Sequence, residues 1–488
     1  MRSQSNKLSK SRLVSARQCM KRLYLEVYEP QLAKWAPQTR AALAAGRRVG
    51  DIARRLYDQP GSVLIPYAGG MWHAIRKTTR LLDAGADFPI FEGTLAFGGV
   101  LVRFDVLLPA VDGWHVVEVK SATSPKDEHM MDCAIQSWVL RSLGYCQRGI
   151  SLAHVNKQFV YPGDGDYRGL LTEVDVADAV DKLLPGVPEW VRVAGDALRG
   201  AEPTIPVGAQ CNTPYECPFI GYCWPAGPHP VQKLPRASKA KLGRWIAAGF
   251  TDLRQVPAEQ LSESQLRVRR VVQSGIPELL PGAREFATGL GYPRYYLDFE
   301  TIAPAVPIWA GTRPYEVLPV QWSCHYEASA GKVTHADFLD LSGDSPLRRL
   351  AESLIRVLGH DGPVLTYTGY ERQVIAGLRQ RFSDLAGALA AILDRLVDLH
   401  PVTQRNYYHP AMAGSWSLKS VLPTISAELD YKEIDGIQEG TAASEGYLEA
   451  IDPATSEVRR AELREQLLRY CRHDTAAMLR LVEYFAAG

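Results

Sequence analysis

The sequence predicts a multidomain α/β protein, and three observations carry that reading. Its 488 residues exceed the roughly 150 typical of one domain. Hydrophobic residues make up 46% and charged residues 22%, with Gly and Pro dispersed, which excludes disordered, collagenous and low-complexity chains. Segments of period two alternate with segments of helical period in both halves of the chain.

In the first half, Val49, Ile52 and Leu56 recur at helical spacing among arginines. From Gly99 the period changes to two: Val100, Val102, Phe104, Val106 and Leu108 alternate with Leu101, Arg103, Asp105 and Leu107, which predicts a strand. Pro109 to Gly113 reads as a turn, Trp114 to about Ser121 as the second strand of a hairpin. A helix follows, with Met131, Ile135, Val139 and Leu143 as its core stripe. Residues 201–235 are too broken by Pro, Gly and Cys for a long element and predict a clip. Short basic helical segments separated by turns at Gly249 and Gly275 follow.

A third region opens near Tyr292 with the apolar strand YYLDFETI and closes with a helix from about Arg459 to Phe485. Between them the apolar runs PVLTYTGY and LVDL alternate with helical patterns such as LRRLAESLIRVL. The expected domains are 1–235, a helical connector at 236–287, and 288–488.

No stretch approaches the roughly 18 apolar residues needed to cross a bilayer, and the opening MRSQSNKLSKSRLVSARQC lacks an apolar signal core. A cytoplasmic location with no membrane partner is therefore expected. The formal charge is only +1 but unevenly placed: residues 1–55 carry a local +10, residues 233–270 a local +6, and the remainder about −15. Basic segments of this kind can contact phosphates or be solvated helix faces. Trp35 and Trp72 are candidate stacking residues beside the first.

Three constellations carry chemistry. In the first, Glu118 and Lys120 share one face of a strand, roughly 6.6 Å apart along it. Asp105 lies on the preceding strand, so the hairpin can bring two carboxylates onto one hard cation such as Mg2+ or Mn2+. The ion would activate water, and Lys120 would add charge at the attacking oxygen. Asp105, Glu118-x-Lys120 and Gln136 on the next helix together resemble the RecB-like branch of the PD-(D/E)XK nucleases. The resemblance implies a restriction-endonuclease-like core, Asp105 and Glu118 as metal ligands, Lys120 as the catalytic lysine and Gln136 as an orienting amide. Many members carry a metal-binding histidine on the first helix; here that stretch reads Gly46-Arg47-Arg48-Val49-Gly50, with Glu92 as a further candidate acid.

In the second, Cys211, Cys217 and Cys223 are spaced six and six in the Pro/Gly-rich clip, and Cys19 is the natural fourth thiolate. Four such sulfurs could hold a 4Fe-4S cluster or zinc. One early cysteine with three after the core resembles the iron–sulfur nucleases, in which the cluster is a structural staple. Cys133, Cys146, Cys324 and Cys471 read as ordinary buried thiols.

In the third, Asp298 and Glu300 share a strand face, where two buried acids repel unless a cation lies between them. Leu467, Tyr470, Asp474, Ala477 and Leu481 form one stripe of the last helix, with Tyr470 beside Asp474. This set resembles the DEDD exonucleases of the DnaQ-like, ribonuclease H-like fold, in the tyrosine subgroup. The resemblance implies metals held by Asp298, Glu300 and Asp474, and Tyr470 positioning the attacking water. The middle motif departs from the usual aspartate, with Glu371 after Tyr370. Asp398 and the run Ser417-Leu418-Lys419 also look like this family, Asp398 as a strand-end residue rather than a ligand. The combined order resembles an uncharacterised bacterial family joining the two domains.

The expectation is thus a metal-dependent nuclease acting on DNA, single-stranded or with frayed ends. The alternatives are an RNA-processing enzyme working through its C-terminal domain, and a non-catalytic nucleic-acid-binding adaptor.

Overall fold

The computed structural model describes residues 8–426 and 436–488, a mixed α/β chain that divides into two compact units. The first comprises Met1–Trp224, Lys239–Arg244 and Pro304–Tyr315; the second comprises Pro225–Ser238, Trp245–Ala303 and Glu316–Gly488. Among the described residues no helix is long and apolar enough to cross a membrane.

The sheet of the first unit is built from β1 (Leu8–Ser9), β2 (Val63–Leu64), β3 (Ile90–Phe97), β4 (Val100–Ala110), β5 (Gly113–Lys120), β6 (Gln147–Val155) and β7 (Leu171–Asp175). Its order is β2-β3-β4-β5-β6-β7, with β1 pairing parallel to β4. Gly98 and Gly99 both take positive φ, which gives the two-residue reversal between β3 and β4 the geometry that favours a tight hairpin. The alternation read in β4 buries Val100, Val102, Phe104 and Val106 and leaves Asp105 half-buried. β5 runs antiparallel to β4 and parallel to β6, so the chain must cross over between them.

That crossover is the helix Asp127–Ser142, and its buried surface is wider than a single stripe: Cys133, Ala134, Ile135, Gln136, Ser137, Val139 and Leu140 are all covered. Two positions of the expected stripe are corrected. Leu143 is the C-cap and 39% exposed, and Met131 is half-buried, because the helix is enclosed over its middle turns and open at its ends.

The short segment Pro304–Tyr315 also belongs to this unit. Ala305 and Val306 join a core cluster with Val49, Ile52, Phe159 and Leu170. Gly311 N–H donates to the Tyr161 carbonyl at 2.8 Å, Tyr161 N–H donates to Thr312 O at 3.0 Å, and Tyr315 Oη donates to the Ser121 carbonyl just past β5.

The second unit holds β8 (Glu278–Leu279), β9 (Arg294–Ile302), β10 (Leu318–Ser329), β11 (Lys332–Leu339), β12 (Val364–Thr366), β13 (Leu396–Asp398) and β14 (Tyr407–Tyr408). Its main sheet runs β11-β10-β9-β12-β13, while β8 and β14 pair separately. The strand YYLDFETI is therefore central, antiparallel to β10 and parallel to β12. The helix Leu347–Leu358 contributes on one face, where Trp322 Nε1 donates to Ser353 Oγ at 3.1 Å. The C-terminal helix Glu457–Ala487 covers the face of Asp298 and Glu300; Gln321 Nε2, fully buried, donates to the Leu467 carbonyl at 2.9 Å. The β10–β11 hairpin was not expected from the sequence.

Candidate metal centres

In the first unit, β4 and β5 pair up to Val106 opposite Val117, and one step further the ladder opens. There Asp105 Oδ2 accepts the Val119 N–H at 2.7 Å in place of a backbone partner, which fixes its carboxylate beside Glu118. Glu118 is 1% exposed and heavily partnered: Oε1 accepts from Lys10 at 2.6 Å and Lys120 at 2.8 Å, and Oε2 accepts from Gln136 Nε2 at 2.6 Å. Lys120 also reaches Asp132 at 2.5 Å. Burial works against ionising Glu118, but Lys10 and Lys120 outweigh it and hold the carboxyl below the usual range. Asp105 moves oppositely: burial first, then the Glu118 charge, push it up to about 7.

Asp105 opens onto a cleft of about 450 Å³ lined by Gly46, Arg47, Gly50, Asp51, Arg54, Glu92 and Val119. The helix Pro37–Leu56 thus stands where the sequence placed it, and Gly46 and Gly50, one turn apart, line the cleft without side chains to fill it. Glu92 holds φ +57 on a strand, a conformation costly for a residue with a Cβ. Arg103 at 2.7 Å and Arg54 at 3.4 Å secure it there.

The four residues read from the sequence, Asp105, Glu118, Lys120 and Gln136, lie together. Lys10 and Asp132 complete the set and were missed, because neither carries a local pattern; Lys10 is 108 positions from its partner. Several cations of the basic N-terminal stretch are engaged internally: Lys10 with Glu118, Lys21 with Glu202, Arg22 with Glu26 and Arg54 with Asp51. Trp35 (42%) and Trp72 (64%) are exposed, as is Tyr67, over whose ring Arg103 sits at 5.5 Å.

Cys19, Cys211, Cys217 and Cys223 are all half-buried and line one small cavity with Lys21, Arg22 and Trp224. Cys217 N–H donates to the Cys211 carbonyl at 2.9 Å, and Gln18 Nε2 ties the first helix to the clip through the carbonyls of Gln210 and Tyr215. Burial, with neighbouring Cys211 and Cys19 adding to it, pushes the Cys217 thiol up to about 11. Of the other four cysteines, Cys133, Cys324 and Cys471 are buried as expected, whereas Cys146 is exposed, lying in the turn before β6.

In the second unit, Asp298 and Glu300 project from β9 toward the C-terminal helix, which presents Tyr470, Cys471 and Asp474 on one face. Glu371 comes from the first turn of the helix Tyr370–Arg381 and is 3% exposed. That helix is launched by Thr368, held at φ +88. Asp398 stabilises the strained turn: Oδ1 accepts the Thr368 N–H at 2.9 Å and the His400 N–H at 2.8 Å. Asp398 is the last residue of β13, the strand end at which the sequence placed it.

Burial, reinforced by Asp474 and Glu300, raises the Asp298 carboxyl well above its ordinary range; burial and Asp474 do the same to Glu300. Glu371 is pushed up to about 8 by burial, with Asp398 and Asp474 adding to it. The Tyr470 hydroxyl is held strongly protonated by burial and these acids, and Lys419 Nζ stands 5.1 Å over its ring. Asp298, Tyr470, Asp474 and Lys419 line a cleft of about 570 Å³. Among the described residues, Glu371 Oε2 is a buried acceptor with no hydrogen-bond partner. Asp298, Glu300 and Cys471 each bring a ligand-type atom within 4.8 Å of the others. Both the orphaned oxygen and the donor set fit a divalent cation.

Residues 295–417 match a family described as "Domain of unknown function (DUF2779)". The matched DUF2779 segment contains Asp298, Glu300, Glu371 and Asp398 and stops short of Tyr470 and Asp474. No curated protein matches the chain. A solved structure described as "Crystal structure of SSO0001" aligns with 44% of this chain and 84% of its own, at 16% identity and a TM-score of 0.23, an overlap too slight to carry fold or function across.

Carboxyls whose folded pKa is raised bind protons that the unfolded chain releases, so they favour folding below the ordinary carboxylate pKa and lose that contribution as pH rises to the folded value. For Glu371 the loss runs from the ordinary carboxylate range up to about pH 8, and Asp298 and Glu300, raised by burial and their neighbouring acids, add to it in the same direction. Thermal melts in chelator should therefore show Tm falling across this window more steeply in the wild type than in Glu371→Gln. Equal slopes would show that Glu371 does not carry the buried charge.

Proposed function

We propose that this protein is a metal-dependent nuclease that hydrolyses phosphodiester bonds in DNA, with single strands or frayed ends as substrate. The observation that carries the reading is the convergence of Glu300, Glu371 and Asp474 on Asp298, which with Asp474 lines a cleft, together with the orphaned carboxylate oxygen of Glu371. The central place of the acid strand, antiparallel to one neighbour and parallel to the other, supports a ribonuclease H-like domain. The grouping of Asp105, Glu118, Lys120 and Gln136 across a hairpin and the following helix supports a PD-(D/E)XK core in the first unit.

Mg2+ or Mn2+, when bound, supplies a Lewis acid to the phosphoryl oxygens and an activated water. Asp298, Glu300, Glu371 and Asp474 would hold it in the second unit, and Asp105 with Glu118 in the first. Tyr470 keeps its proton and so offers a donor that orients a water against the phosphorus. Lys419, beside that ring, gives the cleft a positive charge to meet a phosphate. Arg47 does the same at the Asp105 cleft.

A second reading has a specific observation in its favour. Two lysines and an amide occupy Glu118, whereas Glu371 keeps an unfilled oxygen. This favours the second unit as the hydrolytic engine, on DNA or RNA, with the first gripping the strand.

The cavity shared by Cys19, Cys211, Cys217 and Cys223 suits a structural 4Fe-4S cluster, with zinc as the competitor. Lys21 and Arg22 on its wall offset the negative charge of a thiolate-bound cluster. Because Cys19 and Cys211 lie 192 residues apart, the closure removes substantial entropy from the unfolded chain.

End-labelled single-stranded DNA, duplex DNA and RNA, each with Mg2+ or Mn2+, separate these readings. Asp298→Asn and Lys120→Met should each lower cleavage of their site's substrate by at least roughly 10- to 100-fold, the scale of losses even one step outside a metal shell. If both variants degrade every polymer as the wild type does, the nuclease reading fails. For the cluster, anaerobically purified protein should be brown and should lose iron and thermal stability together in Cys19→Ser. Colourless protein carrying stoichiometric zinc would replace the cluster with a zinc site.

A further inference from the structure

We propose that Cys471 is a direct ligand in the second unit's metal centre and makes that centre favour a first-row transition ion over Mg2+. The inference rests on Asp298, Glu300, Glu371 and Asp474 forming a metal site, and adds a sulfur to it.

Three observations carry it. First, the Cys471 sulfur lies against carboxylates: Sγ is 3.5 Å from Asp298 Oδ2, with the Asp298 carbonyl at 3.8 Å, and shares a 4.8 Å neighbourhood with an oxygen of Glu300. Second, Cys471 and Asp474 are three apart on the C-terminal helix, so one helical face offers a sulfur and a carboxylate in successive turns. Third, and independently, Glu371 is almost fully buried on a different helix and its Oε2 has no hydrogen-bond partner among the described residues. A buried acceptor with no donor, beside a cluster of acids, is the signature of a cation position rather than of packing.

Cys324 shows the contrasting, purely packed case. It is equally buried on β10, and its sulfur meets backbone groups rather than carboxylates, the His325 carbonyl at 3.6 Å and the backbone of Tyr296.

Coordination is a proton exchange: the thiol releases H+ to solvent as the divalent ion and sulfur form a bond, and nothing is oxidised or reduced. Mg2+ takes oxygen ligands in a strict octahedron and gains little from a thiolate, whereas Mn2+, Fe2+, Co2+ and Zn2+ accept mixed oxygen and sulfur donors with rising affinity toward the end of the series. A site made of carboxylates alone would show this preference more weakly.

The test is a Co2+ titration of the full chain, followed by absorbance, in wild type, Cys471→Ser and Cys471→Ala. Cys19, Cys211, Cys217 and Cys223 are common to all three, so their signal cancels in the difference. The wild type should show a thiolate-to-cobalt charge-transfer band absent from both variants. Co2+ affinity should fall in the variants by on the order of 10-fold or more, while Mg2+ affinity stays unchanged. If the variants bind Co2+ with the wild-type spectrum and affinity, Cys471 is not a ligand and the acid site stands without it. If equilibrium dialysis finds no divalent ion that Asp298→Asn abolishes, the acid site itself is wrong and the inference falls with it.

Discussion

Buried charge of one sign has to be neutralised, and that requirement organises both units. In the first, the protein supplies its own counter-charge: Lys120 from the same strand and Lys10 from 108 positions earlier close on Glu118, and Gln136 fills the remaining oxygen. In the second, Glu300, Glu371 and Asp474 gather around Asp298, and the cation Lys419 bears on Glu300 and the Tyr470 ring. Without further positive charge these carboxyls are driven toward their neutral forms. An external cation is the simplest physical complement to such a cluster.

Backbone geometry prepares both clefts before any ion is considered. Where β4 and β5 stop pairing, a side chain replaces a ladder bond and aims Asp105. At β9, a register shift opposite Pro319 and Gln321 falls beside Glu300, the kind of local irregularity that re-aims side chains near sites. Glu92 and Thr368 both occupy the left-handed region, which costs about 1–3 kcal/mol each and persists only when neighbours enforce it. The enforcing neighbours are Arg103 with Arg54 for Glu92, and Asp398 for Thr368.

Elements with a one-faced environment were legible in the sequence. β4 shows its alternation because one face is core and the other is half-open, and the C-terminal helix shows its stripe because only one side meets the sheet. β10 was not legible: Leu318 to Cys324 is buried on both faces, which erases the period-two signal. Nor was the placement of Pro304–Tyr315, since membership of the first unit depends on contacts with residues about 150 positions away. Candidate acids were legible as pairs on one strand. Their partners Lys10 and Asp132 were not, and Cys471 read as a packing thiol because its carboxylate neighbours come from a strand 173 positions earlier.

The most direct measurement of the central claim is anomalous diffraction from crystals grown in saturating Mn2+. The predicted result is a strong anomalous peak enclosed by the carboxylates of Asp298, Glu300, Glu371 and Asp474, with the Glu371 oxygen turned toward it. A map with no peak there, and with those carboxyls hydrogen-bonded to one another as neutral acids, would contradict it.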